Sequence, residues 1–329
     1  MKLRDNYLTP SERLLKSSVG VVKGVLFGTL LVGLCFTILY PILKALPTVF
    51  NDLNDLGNPN VVWVPETLSV NSFKLAFRIA FGNGLSILQT LLYSIAIAFI
   101  QMMMSAMVGY VLGRNNSKIF SILTGLVIVA IMVPPQALLI SQYLSLKNFD
   151  AFGLIPLLNG GETIDLVGNP LVLYILAFAG FGLRQNVFVF IFRQSFRGFP
   201  KELEEAALID GCGFYRTYFQ IAFPNAVPSM VTVLTLSFVW NYGDTFYTTY
   251  FDPTGPYLAN TLSSMFQWAN RDLIADFATA LYGFSGNANY VLDAVKFAAV
   301  LIFLLPLLLL YFFMQKKLVE NFERSGIVG

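Results

Sequence analysis

Residues 200–224 of the chain read PKELEEAALIDGCGFYRTYFQIAFP, a charge-dense segment in an otherwise apolar protein. Pro200 suits the first turn of a helix, where its missing N–H costs nothing, and the glutamates that follow are favoured by the helix dipole. Gly211 and Gly213 then break this helix, a second short helix follows, and Pro224 is expected to end it. The stretch therefore predicts two short helices in a polar loop between membrane-spanning segments.

One face of the first predicted helix carries small side chains. Leu203, Ala206, Ala207 and Asp210 lie at spacings of three and four residues, so they share a face. The two alanines, together with Gly211, allow another backbone to approach closely. We therefore expect this loop to offer a surface that can enter a groove of a partner outside the membrane.

The composition indicates a membrane protein. Of the 329 residues, 56% are hydrophobic and only 12% are charged, whereas a soluble domain averages about 25% charged residues. The 31 phenylalanines and 15 tyrosines suit lipid-facing and interfacial positions. We expect an all-α polytopic protein surrounded by membrane lipid, and the net charge of +2 gives no reason to expect nucleic acid as a partner.

Several kinds of chemistry are excluded by the residues that the sequence lacks. The chain has no histidine, which removes histidine-based acid–base catalysis, histidine-ligated metals and a Ser-His triad. Its two cysteines, Cys35 and Cys212, form no zinc or disulfide pattern, and no GxxxxGK[ST] loop is present to cradle ATP. We expect no metal site, no cofactor in this chain and no enzymatic activity.

Six apolar stretches are long enough to be transmembrane helices, because about 20 residues cross roughly 30 Å of hydrocarbon. The first is too long for the apolar part of a signal peptide, so we predict a helix that stays in the membrane. Pro134 and Pro135 interrupt the third stretch and are expected to kink it. The predicted spans are residues 21–46, 85–112, 119–144, 171–192, 227–250 and 291–314.

The distribution of Lys and Arg predicts the orientation, because basic residues collect in cytoplasmic connections. Fourteen of them lie in the two terminal segments and in the second and fourth connections, against four in the remaining connections. Both termini and the loop at residues 196–224, between the fourth and fifth helices, are therefore predicted to be cytoplasmic. The predicted divisions are a cytoplasmic segment at 1–20, a transmembrane domain at 21–314 and a cytoplasmic tail at 315–329.

The connections predicted on the outer face are long and rich in Asn, Gly, Asp and Trp. They either form a cap that meets an extracytoplasmic partner or serve only as connectors between helices. Trp63 and Trp268 suit an interfacial belt. These connections are residues 47–84, 145–170 and 251–290.

The polar loop resembles a known family motif. EAALIDG at residues 205–211, nine further residues and IAFP at residues 221–224 resemble the EAA motif of ABC importer permeases. That motif reads EAA, three residues, Gly, nine residues and I-x-L-P, so Phe223 stands where the family has Leu. The longer run FRQSFRGFPKELEEAA is similar to the sugar-importer branch of the family.

The resemblance covers most of the chain. VPPQALLISQYLSLKNFDAFGLI at residues 133–155 resembles the third helix and the following loop of the family, and FVWNYGDTF at residues 238–246 resembles its fifth helix. The ending ERSGIVG resembles Gly-x-Val-Lys-Gly, with Val328 where Lys is common. The chain is most similar to the second permease subunit of maltose-type transporters. This resemblance implies a carbohydrate cargo, with an oligosaccharide as the first candidate and polyols, sugar phosphates and glycosides left open.

The resemblance implies a division of labour between subunits. Such permeases pair as a heterodimer of homologous chains around a translocation path in the bacterial cytoplasmic membrane. Each EAA loop docks as a coupling helix on one of two cytoplasmic ATPase subunits, and an extracytoplasmic solute-binding protein delivers the substrate. ATP and Mg²⁺ bind to the ATPases, whose closure switches the permeases between inward-facing and outward-facing states. This chain would supply half of the path and no hydrolytic chemistry.

The residues that match the motif are the ones expected to couple this chain to the ATPase. The resemblance implies that Glu205 contacts the ATPase and that Gly211 permits the turn, whereas the alternative is a solvated helix that these residues merely cap and break. The C-terminal tail either touches the ATPases as well or is frayed and solvated. The expected coupling residues are Glu205, Ala206, Ala207, Asp210, Gly211, Ile221 and Pro224.

A second polar group lies in the fourth and fifth predicted spans and is a candidate for the substrate path. Arg184 is expected to face a bundle interior or a wet cavity, where it could bind sugar hydroxyls, although a structural ion pair or a snorkelling side chain is the alternative. For Asn241 and Asp244, sugar binding and hydrogen bonding between helices both stay open. The candidates are Arg184, Gln185, Trp240, Asn241 and Asp244.

Two other functions compete with an importer permease. A self-sufficient secondary transporter or channel predicts symmetry between the halves and several buried acids, but the chain has no obvious repeat, and Asp244 is the one acid placed well inside a predicted span. An intramembrane enzyme is disfavoured because the sequence offers no histidine and no paired catalytic carboxylates. An importer permease, unlike either alternative, should co-purify with a homologous permease and an ATPase.

Overall fold

The computed structural model describes residues 10–59, 63–151, 153–158, 160–265, 267 and 271–326. This part of the chain is almost entirely helical, apart from two isolated bridges, so the expected all-α membrane fold is confirmed. A π-helical turn at Tyr218–Ala222 joins α10 to α11. The helices are α1 (Pro10–Phe50), α2 (Asn71–Ile79), α3 (Leu85–Arg114), α4 (Lys118–Met132), α5 (Pro135–Lys147), α6 (Leu154–Leu158), α7 (Leu171–Phe178), α8 (Gln185–Arg197), α9 (Lys201–Ile209), α10 (Phe214–Thr217), α11 (Phe223–Asn225), α12 (Val227–Tyr242), α13 (Phe246–Phe251), α14 (Leu258–Met265), α15 (Arg271–Tyr282) and α16 (Ala288–Gly326).

The chain forms two compact units. In the first, the backbone reverses after α1, so that Asn51 pairs with Leu68 in an antiparallel bridge. Gly57 adopts a φ of 89° and lies against the ring of Tyr290, where a Cβ would come within 2.4 Å of a ring carbon. The units are Met1–Leu75 with Arg271–Ala298, and Ala76–Asn270 with Ala299–Gly329.

The second unit is built around α3, which packs mainly against α8 and α12. A buried apolar cluster joins these three helices and includes Met102, Phe192 and Val233. A second buried cluster joins α3 to α5, α7 and α13 and includes Tyr93 and Phe251. α3 therefore contributes to both cores and is the element on which the other helices of this unit assemble.

Two glycines let α3 and α8 approach closely. A Cβ on Gly109 would lie 2.5 Å from the Cβ of Phe192 and 2.9 Å from the nitrogen of Arg193. A Cβ on Gly113 would lie 2.9 Å from the carbonyl oxygen of Arg193. Small residues spaced four apart permit this kind of backbone-to-backbone packing between membrane helices.

The predicted spans are only partly continuous helices. Among the described residues, three helical segments are long and apolar enough to cross a membrane, and two bent helix pairs raise the number to five if each pair is one broken span. These segments correspond to all the predicted spans except the fourth, residues 171–192, which is divided between α7 and α8. Because neither α7 nor α8 alone is long enough to cross, the count of six spans stays a prediction.

The breaks have identifiable causes. Pro134 precedes α5, and the axes of α4 and α5 meet at a bend of 103°, as expected where proline removes a hydrogen-bond donor. The break between α7 and α8 contains Gly180, with a φ of 89°, and Arg184, with a φ of 52°. Left-handed residues at both ends of the break redirect the chain, a feature that hydropathy alone did not predict.

The ends of the chain extend the terminal helices beyond the predicted spans. α1 already begins at Pro10, within the segment predicted as cytoplasmic, and α16 continues to Gly326, within the predicted tail. Residues 1–9, residues 327–329 and Trp268 lie outside the described part. The domain boundaries at residues 20 and 314, and the cytoplasmic location of both termini, stay predictions.

We predict that Gly109→Leu destabilises the protein by about 1–3 kcal/mol, the usual cost of overpacking a tight interface. The measurement is the thermal unfolding midpoint of the chain in lipid nanodiscs. Gly125→Leu in α4 is the matched control, because a Cβ on Gly125 would meet nothing within 4 Å. An equal midpoint shift in the two variants would contradict the close α3–α8 contact.

Candidate functional site

The helix α9 ends in a Schellman motif. The N–H of Cys212 donates to the carbonyl of Ala207 at 2.9 Å, and the N–H of Gly211 donates to the carbonyl of Leu208 at 3.1 Å. These two bonds satisfy carbonyls that a helix end otherwise leaves open. The polar loop thus contains a defined helix terminus at the residues where the motif has its glycine.

Gly211 holds the one backbone position of this turn that requires glycine. Its φ is 81°, and a Cβ there would meet no neighbouring atom within 4 Å. The requirement is therefore conformational rather than steric, because side chains disfavour the left-handed region. Gly213 has a φ of −75° and carries no such requirement.

Arg114, the last residue of α3, holds the start of α9. Its Nε donates to Glu204 Oε1 at 2.7 Å, its Nη1 to the Phe199 carbonyl at 2.8 Å and its Nη2 to the Pro200 carbonyl at 3.3 Å. The Arg114 and Glu204 side chains are only 9% and 15% exposed. Charge-assisted bonds shielded from solvent are stronger and less screened than surface pairs, so this contact fixes α9 to the end of a membrane helix.

Aromatic rings hold the second half of the loop to the same end of α3. The ring centre of Tyr110 lies 5.2 Å from Phe196, 5.7 Å from Phe214 and 5.0 Å from Tyr218. Such ring pairs contribute about 0.5–1.5 kcal/mol each beyond their burial. Both short helices of the loop therefore rest on α3.

The motif residues of α9 occupy different environments. Glu205, Ala206 and Asp210 are exposed, whereas Ala207 is buried with 4% of its surface accessible. Ala207 faces the protein and also accepts the Schellman bond described above. Glu205 and Ala206, together with Asp210 and Gly211, remain available to another molecule.

Apolar side chains that the sequence analysis did not assign to the site extend this exposed surface. Leu208 and Ile209 expose 58% and 86% of their surface, and Tyr215 exposes 72%. The loop is charge-dense, so contact with lipid does not account for apolar side chains that are exposed on it. Exposed apolar patches on a polar surface mark interaction sites.

The end of the loop differs from expectation. Pro224 does not end the second helix, because the helical path continues through the π turn into α11. The N–H of Phe223 bonds to the carbonyl of Tyr218, five residues back, and Pro224 then falls in the first turn of α11, where a proline needs no N–H partner. Ile221 is half-buried and Pro224 is exposed.

Arg184 and Trp240 are brought together. The guanidinium carbon of Arg184 lies 5.0 Å from the ring centre of Trp240, and Trp240 stacks on Phe188 at 5.3 Å. Arg184 is exposed and left-handed at the N-cap of α8, an uncommon conformation for a residue with a side chain. No carboxylate in the described residues forms a salt bridge with Arg184, so the alternative of a structural ion pair finds no partner within this part of the chain.

Gln185 is buried, and its side chain is hydrogen-bonded to the backbone. It is 1% exposed, its Oε1 accepts the N–H of Gly182 at 3.0 Å, and its Nε2 donates to the carbonyl of Ala177 at 2.8 Å. Ala177 lies near the end of α7, and Gly182 lies in the break that follows. The side chain thus satisfies groups that the interrupted helix frees, as irregular backbone at membrane depth requires.

Asn241 belongs to a buried polar network centred on Gln101 of α3. The Nδ2 of Asn241 donates to Gln101 Oε1 at 3.1 Å, and the Ser237 hydroxyl donates to the same oxygen. Gln101 Nε2 donates in turn to the carbonyl of Leu183 at 3.4 Å. This arrangement agrees with the alternative of hydrogen bonding between helices. The sequence analysis missed Gln101, an amide in a long apolar run.

Asp244 caps α13. Its Oδ1 accepts the backbone N–H groups of Phe246 and Tyr247 at 3.0 and 3.2 Å, and its Oδ2 accepts that of Thr248 at 3.1 Å. A carboxylate with three backbone donors at a helix N-terminus satisfies groups that the helix leaves open.

Of the five path candidates, Arg184 and Trp240 therefore remain open to another molecule, while the other three are engaged within the fold.

Comparison with known proteins identifies the family. Residues 105–324 match the model of the binding-protein-dependent transport system inner membrane component. The chain belongs to this family. The expected ABC importer permease, a multi-pass protein of the bacterial inner membrane, is thereby confirmed.

Relatives of this permease cover almost its whole length. A permease protein of an arabinooligosaccharide transport system from Halalkalibacterium halodurans is 25% identical over 90% of this chain and 93% of its own. A permease protein of a maltodextrin transport system from Streptococcus pneumoniae is 24% identical over 91% of this chain and 93% of its own. The matches thus include the N-terminal region that lies outside the family model.

The fold of this permease has a counterpart among solved structures. A chain in the crystal structure of a bacterial ABC transporter involved in the import of the acidic polysaccharide alginate superposes with a TM-score of 0.69 at 17% identity. The superposition covers 94% of this chain and 98% of the other. The two chains share the fold.

We predict that Gly211→Ala lowers uptake by the assembled transporter, because forcing alanine into the left-handed region costs about 1–2 kcal/mol and disturbs the end of α9. Gly211→Asn should retain more uptake, since Asn tolerates this conformation better. The measurement is ATP-driven uptake in membrane vesicles, normalised to the amount of inserted chain. Gly213→Ala is the control and should match the wild type; equal losses at both glycines would contradict the assignment.

A double-mutant cycle tests the anchor of α9. Arg114→Leu and Glu204→Leu should show a coupling energy of about 1.5–3 kcal/mol, the range for hydrogen bonds to charged groups. The measurement is the free energy of unfolding in mixed micelles. Arg197→Leu, an exposed residue at the end of α8, should change stability by less than about 0.5 kcal/mol. A coupling energy near zero would refute the anchoring role.

Proposed function

We propose that this permease forms half of the translocation path of an ATP-driven importer of carbohydrate, with an oligosaccharide as its cargo. The observation that carries the proposal is the loop around α9, which is anchored rigidly to α3 on one side and open on the other. A rigid connection allows a displacement of α9 to move α3 rather than deform the loop.

The exposed side of α9 is the proposed docking surface for a cytoplasmic ATPase subunit. Glu205 and Ala206 lie on it beside the open apolar side chains of Leu208 and Ile209. The centre of a protein interface is typically apolar and desolvated, while the charged residues around it confer specificity. Glu204 has a separate task, since its carboxylate is already bound by Arg114.

The proposed assembly contains the other parts that an importer needs. Its components are this chain, a homologous permease as the second half of the path, two ATPase subunits and an extracytoplasmic solute-binding protein. ATP and Mg²⁺ bind to the ATPases, and this chain contributes no catalytic group. The Arg184–Trp240 pair is the proposed contact with the substrate path, because its guanidinium is exposed without a carboxylate partner among the described residues.

Carbohydrate is proposed as the cargo because several of the relatives that match this chain are named for the transport of sugars. They include permeases for arabinooligosaccharides, maltodextrin, and melibiose, raffinose and stachyose. The cargo can be tested by reconstituting the complete transporter in proteoliposomes with its solute-binding protein and ATP. Maltotriose, arabinotriose, raffinose and digalacturonate form a suitable panel, and ATP-dependent uptake of at least one supports the proposal. Uptake of none of them, or uptake without ATP, would overturn it.

We predict that Ile209→Asp reduces recovery of the ATPase with the purified permease at least about tenfold, because a charge would be buried at the centre of the interface. Since Ile209 is 86% exposed, the substitution should leave insertion and folding unchanged. Leu157→Asp, at a residue 83% exposed in a connection predicted on the opposite face, is the matched control. Undiminished ATPase recovery with Ile209→Asp would count against docking on α9.

A further inference from the structure

A cavity of about 400 Å³ lies between α5 and α7. Its volume falls within the range of about 300–1,000 Å³ typical of small-molecule sites. Both bounding helices adjoin breaks, since α5 follows the bend at Pro134 and α7 precedes the break before Arg184. None of the residues predicted for the substrate path lines this cavity. Its walls are Leu138, Ser141, Gln142, Ser145, Leu146, Phe149, Ile175, Leu176, Ala179 and Phe181.

The cavity contains an unsatisfied hydrogen-bond acceptor. The Oε1 of Gln142 is buried and has no hydrogen-bond donor among the described residues. The Gln142 side chain lies close to the side chain of Tyr247 on α13. A buried acceptor left unpaired is unfavourable. A donor that entered the cavity could therefore bond to this oxygen.

The residues that line the cavity restrict the class of molecule that can supply this donor. No charged residue lines the cavity, so an ionic ligand would find no counter-charge. Ser141 and Ser145 lie on α5 on either side of Gln142 and provide hydroxyl groups that both donate and accept. Phe149 and Phe181 contribute flat apolar surfaces. A lipid acyl chain would fit the apolar wall but would leave Gln142 without a donor.

We propose that this cavity is a binding site for one ring of a neutral sugar, with a hydroxyl group of the sugar donating to Gln142 Oε1 and an apolar ring face against Phe181. Sugars combine hydroxyl donors with apolar ring faces, which is the pairing that this cavity offers. The inference rests on the proposed function and adds to it a subsite within this subunit. With the predicted orientation, α5 and α7 adjoin the outer face, so the subsite would receive the sugar before it reaches Arg184.

The first test compares transport kinetics of the complete transporter in proteoliposomes. The probe is the neutral sugar of the panel above that the wild type takes up fastest, and uptake of digalacturonate alone would overturn a subsite for neutral sugars. Gln142→Leu should raise the KM for uptake roughly five- to thirty-fold, the factor that corresponds to one or two kcal/mol. Phe181→Ala should raise the KM as well.

Matched controls separate the cavity from the helices that carry it. Gln136→Leu lies on α5 and Phe178→Ala on α7; both residues are exposed and lie outside the cavity, so both variants should keep the wild-type KM. An unchanged KM in Gln142→Leu and Phe181→Ala, with normal wild-type uptake, would overturn the sugar subsite and leave the proposed function standing. Failure of the wild type to take up any sugar of the panel would overturn both.

The second test does not depend on the transport activity of a variant. Ser145→Cys is introduced into a chain that carries Cys35→Ala and Cys212→Ala, and the complete transporter in nanodiscs is treated with a water-soluble methanethiosulfonate reagent. The probe sugar, with its binding protein and ATP, should slow the labelling at least about fivefold. Ser121→Cys on α4, exposed and outside the cavity, should be labelled at the same rate with and without the sugar.

Each result of the labelling experiment decides the inference. Protection by the sugar at position 145 alone supports the subsite. No labelling at position 145 would mean that aqueous solutes do not reach the cavity, and equal labelling with and without the sugar would mean that the sugar does not enter it. Protection that follows the lipid composition rather than the sugar would assign the cavity to an acyl chain. Each of these last three results overturns the proposal.

Discussion

The position of the loop around α9 depends on the hydrogen bonds that the guanidinium of Arg114 makes. This guanidinium binds one carboxylate and two backbone carbonyls of the loop, and Arg114 is itself the last residue of α3. A planar group with several fixed donors can bridge three acceptors at once, which a lysine ammonium does less specifically. The loop helix α9 is therefore positioned by directional bonds rather than by apolar packing alone, and its exposed side can stay free for a partner.

A broken helix and buried amides occur together at the passage from α7 to α8. Where α7 ends and α8 has not begun, Gln185 bonds to Ala177 and Gly182, and Gln101 bonds to Leu183. Lipid offers no hydrogen bonds, so an interrupted helix is stable in a membrane only if side chains or neighbours supply them. Gln185 and Gln101 therefore stabilise the interruption between α7 and α8, whereas Arg184, which lies beside it, is exposed.

Features set by local backbone chemistry could be predicted from the sequence, and features set by distant contacts could not. The break at Gly211 follows from a glycine at the end of a short helix, and the bend near Pro134 follows from proline. The pairing of Arg114 with Glu204 joins residues 90 positions apart, and Arg114 by itself indicates only a cytoplasmic connection. The break within residues 171–192 was missed because an apolar run without proline predicts an uninterrupted helix. The sequence does not show which amides will lie close enough to bond to the backbone groups that a break leaves open.

The glycine contacts of α3 have a mechanical consequence. At Gly109 and Gly113 the backbone of α3 touches α8 directly, with no side chain of its own in between to rotate or compress. Close-packed interiors transmit strain rather than absorb it. A push delivered at the end of α3 that holds α9 would thus move both helices together as a single strut, and any bending would be confined to the interrupted stretches beside α7 and α5.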